Sequence, residues 1–249
     1  MIYFKVFALN IVTVLLMPLI LVQGLWVRKK TQVLPEPRGE RVFAAFKNIK
    51  ATSNRVLVVG DSAAVGVGAD TQHRALSGLL YAGLSKHSPT HVSLHAKTGY
   101  KSEDVIALLH GLPAESFTSA LVSIGVNDVT KFVSIARWRK NIEIVHKLLT
   151  QKFDCQRIVF TALPPIHSFP ALPQPLRALL GLRALLLNQV LEQCVVNWAN
   201  TEVLYVPALK VTGSVQGVQQ SGLMAEDGFH PSAEGYQLWA QHALERLKR

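Results

Sequence analysis

Gly60-Asp61-Ser62-Ala63 follows an apolar run, Val56-Leu57-Val58-Val59, and Asp227-Gly228-Phe229-His230 lies near the other end of the chain. Together they supply a hydroxyl, an imidazole and a carboxylate. A serine hydroxyl is almost wholly protonated at neutral pH and attacks poorly unless a base takes its proton. Imidazole can do so near pH 7, and a carboxylate can hold the ring in the productive tautomer. These residue types predict acyl transfer with Ser62 as nucleophile, His230 as base and Asp227 as the group that orients the ring.

Acyl transfer also needs donors aimed at the negative oxygen of its tetrahedral intermediate. Three candidates are the Ser62 amide, the Gly99 amide in Lys97-Thr98-Gly99-Tyr100 and the Asn127 side-chain amide in Gly125-Val126-Asn127-Asp128. A turn at residues 60–62 would lift the hydroxyl out of a sheet and leave amides at a helix start, which suit an anion. Glycine at 99 would allow close backbone approach. Asp61 and Asp128 read as turn-fixing carboxylates.

For these residues to meet, the elements between them must return to one edge. Apolar, β-branched runs at 55–59, 91–95, 120–124, 157–162 and 203–206 alternate with helical periodicity at 72–86, 102–109, 135–152, 182–198 and 233–247. That alternation predicts a five-stranded parallel sheet covered by helices on both faces, because parallel neighbours need crossovers. Ligands of such sheets bind beyond the carboxyl ends of the strands. Ser62 follows the first run, Gly99 the second and Asn127 the third, so all three should emerge together.

The blocks resemble those of the SGNH hydrolases, also called the GDSL esterase/lipase family, whose letters stand for Ser, Gly, Asn and His. Here Ser62, Gly99, Asn127 and His230 occur in that order, within Gly60-Asp61-Ser62-Ala63-Ala64-Val65-Gly66, Gly125-Val126-Asn127-Asp128 and Asp227-Gly228-Phe229-His230-Pro231. The similarity spans about residues 54 to 247. It implies a three-layer α/β/α, flavodoxin-like fold, ester hydrolysis through an acyl-serine, and no metal or other cofactor. Ala63 stands where many members carry Leu, which touches packing beneath the turn. The Gly99 block is the weakest match.

Ahead of this domain, residues 6–27 carry no formal charge. As a helix they would reach about 33 Å, enough to cross a hydrocarbon layer of about 30 Å. An uncleaved transmembrane anchor is favoured over a cleaved signal peptide, because no small-x-small site follows before Arg28-Lys29-Lys30, and a buried soluble helix is the third reading. The expected organisation is an anchor at 6–27, a linker at 28–53, with a short amphipathic stretch at 41–49, that lies along the membrane or packs on the domain, and an esterase domain at 54–249. Basic residues after the span place that domain on the cytoplasmic face by the positive-inside rule.

A net charge of +10 raises nucleic acid as a partner, but the basic residues are dispersed and do not interleave with aromatics. An anionic membrane surface fits better. Cys155 and Cys194 read as buried thiols, and His87, His91 and His95 as surface or core histidines. The proline-rich stretch at 163–175 leaves the fourth strand, so it either lines an acyl pocket or caps the core. Lipid-derived esters or thioesters are the favoured substrates. An acyltransferase or sugar deacetylase on the same site, and a non-catalytic membrane scaffold, are the competing readings.

Overall fold

The computed structural model describes residues 2–44, 54–206 and 222–247. Among them, β1 (Val42–Ala44), β2 (Asn54–Gly60), β3 (Thr90–Ala96), β4 (Ser119–Ser123), β5 (Arg157–Thr161) and β6 (Thr201–Leu204) form one sheet in the order β1-β3-β2-β4-β5-β6. The three central strands, β2, β4 and β5, are apolar on both faces. Leu57, Val59, Ala120, Val122, Ile158 and Phe160 enter one core, while Val56, Val58, Leu121 and Val159 enter the other. This period of two is what a strand buried on both sides requires.

Helices fill both layers. α3 (Leu76–Leu84) packs on α8 (Ala233–Leu247) over one face, and α4 (Ser102–Gly111) packs on α6 (Ile135–Gln151), which packs on α7 (Leu176–Val195), over the other. The short helices α2 (Ser62–Val65) and α5 (Val126–Thr130) follow β2 and β4 directly. From β2 through β6 the strands are parallel, and their spatial order is that of a flavodoxin-like doubly wound sheet.

The sheet has six strands rather than the five expected. β1 lies in the stretch read as a linker and pairs antiparallel with β3, Val42 opposite Ser93 and Ala44 opposite His91. Three residues are too few to show a period, yet they satisfy backbone groups that the outer edge of β3 would otherwise expose. Residues 45–49 of the same stretch lie outside the described residues. β6 begins at Thr201 rather than 203, and α7 begins at Leu176, six residues before the expected start. Cys155 and Cys194 are buried free thiols.

The N-terminal apolar segment forms α1 (Ile2–Lys30), longer at both ends than the expected span. Leu9 and Ile20 are buried, and α1 lies along α7. The Gln23 side chain latches the two helices: its Nε2 donates to the Gln174 carbonyl at 2.6 Å and its Oε1 accepts from the Leu176 amide at 3.1 Å. On the other side Leu15, Leu21, Val22 and Leu25 stay exposed. α7 is also long and apolar enough to cross a bilayer, but two-thirds of it is buried, as in a core helix.

Beyond α1 the chain forms a strap across the carboxyl edge of the sheet. Arg38 exchanges backbone hydrogen bonds with Asp70 and Gln72, and the Arg41 carbonyl accepts from the Leu94 amide. The strap therefore packs on the domain.

Candidate active site

Register levels the strand ends. Gly60, the last residue of β2, is aligned with Ala96 of β3 and Ser123 of β4. Glycine is required at 60, since a Cβ there would stand 2.0 Å from the Ser123 carbonyl oxygen. The Asp61 amide donates to that same carbonyl at 3.1 Å, which turns the chain sharply into α2. Asp61 then caps α2, its carboxylate accepting from the Ala63 amide at 3.1 Å. Ser62, the first residue of the helix, is thus held at the sheet edge.

After β3, the Tyr100 amide donates to the Lys97 carbonyl and Gly99 takes φ +86°. This is the positive φ that the third residue of a type II turn demands. Space around Gly99 is open, so its constraint is conformational rather than steric. After β4, the Asn127 Nδ2 donates to the Tyr100 carbonyl at 3.0 Å, leaving its second N–H for the cavity that Asn127 lines. Next to it, the buried Asp128 accepts from the Ser102 hydroxyl and amide, and Asn141 donates to the Ser102 hydroxyl. Asp128 thereby pins α5 to the start of α4 and to α6.

The loop before α8 brings the distant groups into contact. Asp227 Oδ1 accepts from the amides of Phe229 and His230 at 2.9 and 3.0 Å, folding the loop on itself. Its Oδ2 accepts from His230 Nδ1 at 2.5 Å. On the other side of the ring, His230 Nε2 lies 2.8 Å from Ser62 Oγ. With Nδ1 protonated for Asp227, Nε2 is left as the acceptor for the serine proton.

Ser62, Gly99, Asn127, Asp227 and His230 all line one cavity of about 690 Å³. The structure therefore gathers every residue that the sequence nominated. Leu163, Pro164, Pro165 and Phe169 of the proline-rich loop form part of the wall. Asn188 of α7 fixes the start of that loop by hydrogen bonds to both the amide and carbonyl of Leu163, and Phe169 meets Phe229 edge to face.

The contact of the strap with the site has no sign in the sequence. Thr31, Gln32, Val33 and Leu34 line the cavity, and Glu36 bonds to Thr98 beside Gly99. Nothing in local periodicity flags such residues, because their partners lie about 60 positions away. His91 and His95 sit on β3, with His95 bonded to Ser93. Among the described residues no group of three His, Cys, Asp or Glu side chains could hold a metal ion.

Comparisons with known proteins bear on the family and the fold. The family model described as the GDSL-like Lipase/Acylhydrolase family matches residues 58–238. The chain belongs to that family. As a GDSL-type protein it is a serine hydrolase acting on ester bonds. No curated protein gives a significant sequence match.

Among solved structures, the chain is similar to LAE5, an alpha/beta hydrolase enzyme from the metagenome of Lake Arreo, Spain, at 20% identity and a TM-score of 0.56, covering 80% of this chain and 96% of that one. It is also similar to Axe2, an acetylxylan esterase from Geobacillus stearothermophilus, at 19% identity and a TM-score of 0.55, with 80% and 96% covered. A third is the lipase/acylhydrolase from Enterococcus faecalis, at 19% identity and a TM-score of 0.54, with 78% and 95% covered. At these identities the likeness concerns the fold.

The two aspartates near the hydroxyl experience opposite environments. Burial pushes the Asp227 carboxyl up, but hydrogen bonds from the His230 ring and from the His230 and Phe229 amides outweigh it and hold Asp227 below its ordinary range. Asp61 is buried with fewer donors, and burial pushes it up to about 7. Between about pH 4 and 7 the folded protein thus keeps a proton on Asp61 that the unfolded chain has released, so stability falls as pH rises through that window. Asp61→Asn removes this dependence. Thermal melts in detergent should show the variant gaining on the wild type from pH 4 to pH 8; a difference constant with pH would contradict the assignment.

Proposed function

We propose that the protein is a membrane-anchored serine esterase that cleaves lipid-derived esters or thioesters through an acyl-serine. The observation that carries this reading is the relay from Asp227 through His230 to Ser62, with contacts of 2.5 and 2.8 Å at the wall of an apolar cavity. Ser62 Oγ attacks the carbonyl carbon as His230 Nε2 takes its proton, and Asp227 stabilises the imidazolium. The amides of Ser62 and Gly99 and the side chain of Asn127 receive the oxyanion. His230 returns the proton to the departing alcohol or thiol. A water, deprotonated by the same ring, then releases the acid and restores the serine.

Two features support a lipid substrate and a membrane setting. The cavity lies within the range of small-molecule sites, about 300–1,000 Å³, and Leu163, Phe169, Leu185 and Met224 give it apolar walls suited to an acyl chain. α1 leaves Leu15, Leu21, Val22 and Leu25 uncovered, and ends in Arg28, Lys29 and Lys30, which suit anionic headgroups. The proposed topology is a single-pass anchor at 6–27, a linker at 28–53 and an esterase domain at 54–249 on the cytoplasmic face, as the positive-inside rule implies.

Ser62→Ala should abolish turnover of p-nitrophenyl esters with the circular dichroism spectrum unchanged; an undiminished rate would refute the mechanism. Asn127→Ala should lower kcat by about 100-fold, the typical cost of one oxyanion donor. Across p-nitrophenyl esters from acetate to palmitate, kcat/KM should rise beyond butyrate. A maximum at acetate would favour the deacetylase reading. After cell fractionation the protein should stay in the membrane pellet through an alkaline carbonate wash, and its release would count against an integral anchor.

A further inference from the structure

The strap that joins α1 to the sheet grips the loop carrying Gly99. Glu36 Oε1 accepts two hydrogen bonds from one residue, the Thr98 amide at 3.0 Å and the Thr98 hydroxyl at 2.7 Å. Its Oε2 accepts from the Arg41 guanidinium at 2.5 Å, and Arg41 in turn donates to the Ala96 carbonyl at 2.7 Å. The segment from Ala96 to Thr98 is therefore held at both ends by two side chains of the strap. From the far side, Asn127 holds the Tyr100 carbonyl. Gly99 stands at φ +86°, and among the described residues nothing occupies the space where a Cβ would be. The direction of its amide is thus set by what holds Thr98 and Tyr100.

We infer that Glu36 is a positioning residue of the esterase reaction, orienting the Gly99 amide for the oxyanion through its paired hydrogen bonds to Thr98. The inference rests on the serine-esterase reading of the site. Burial tends to raise the Glu36 carboxyl, but the Thr98 hydroxyl and amide and the Arg41 charge outweigh it and hold the group ionised, so both oxygens stay acceptors. The arrangement makes the segment next to the anchor part of the catalytic apparatus. It also explains why a flexible-looking stretch rich in proline and charge is pinned at Arg38, Arg41 and β1 before the chain enters the central strand.

The test compares Glu36→Ala, Glu36→Gln and Thr98→Val in the full-length protein in detergent, with Ser62→Ala in parallel. Rates for p-nitrophenyl butyrate are expressed per mole of Ser62 labelled at end point by a fluorophosphonate, so that misfolded protein is not counted, and for Ser62→Ala per mole of protein with the wild-type circular dichroism spectrum. Glu36→Ala should lower kcat by about tenfold, less than the about 100-fold loss of a whole donor because the amide is loosened rather than removed. KM should stay within about twofold. Glu36→Gln keeps an oxygen for Thr98 and should recover most of the rate, and Thr98→Val, which retains the amide but loses the hydroxyl, should fall between. If Glu36→Ala does not fold, the other two variants decide. Wild-type kcat in both Glu36→Ala and Thr98→Val, equal damage from Ala and Gln, or a loss confined to KM would overturn the inference. Full activity in Ser62→Ala would instead overturn the reading of the site.

Discussion

Gly60 of β2 stands level with Ala96 of β3 and Ser123 of β4. Because the three strands run in the same direction, this shared register delivers three chain exits to one edge of the sheet. A slip of one residue would exchange the two faces of a strand and bury its polar turn. The alternate packing of Val56, Leu57, Val58 and Val59 into two separate cores makes such a slip costly. The glycine is equally constrained, because the Ser123 carbonyl occupies the space of a Cβ. Packing far below the site thus decides where the hydroxyl of Ser62 points.

Within that frame, surroundings rather than residue type separate the carboxylates. Asp227 receives hydrogen bonds from the His230 ring and from two amides, which favours its charged form. Asp61 accepts from the Ala63 amide and is almost wholly enclosed, which favours the neutral acid. Asp128 is also raised by burial, although the Ser102 hydroxyl and amide oppose the rise. One is held charged beside the His230 ring; the others cap and brace. Such divergence between nearby acids is the general means by which a site assigns roles.

Much of this was legible in the residues themselves. Buried parallel strands announce themselves as apolar runs, and the nominated side chains follow those runs directly, so the alternation of strand and helix was enough to bring Ser62, Gly99 and Asn127 to one edge. His230 and Asp227 were recognisable because the chemistry of a serine nucleophile demands them. What stayed hidden depends on partners distant in sequence. β1 is too short for a period and exists because β3 offers it an edge. The early turn of α7 lies against α1, with the Gln23 side chain bonded to the Leu176 amide. Glu36 carries no local sign of its bond to Thr98, since hydrogen bonds across 62 positions leave no pattern in a linear chain.

The Gln23 latch has a mechanical corollary. A helix joined to its domain by a limp tether would let the cavity mouth swivel through every direction relative to a lipid surface. Bonds from one side chain to the backbone on either side of Pro175 instead fix the angle between α1 and the wall of the cavity. If α1 were seated in a bilayer, as proposed, the enzyme would hold a set posture, and a substrate dissolved in that bilayer would be met by a search in two dimensions from a mouth already aimed.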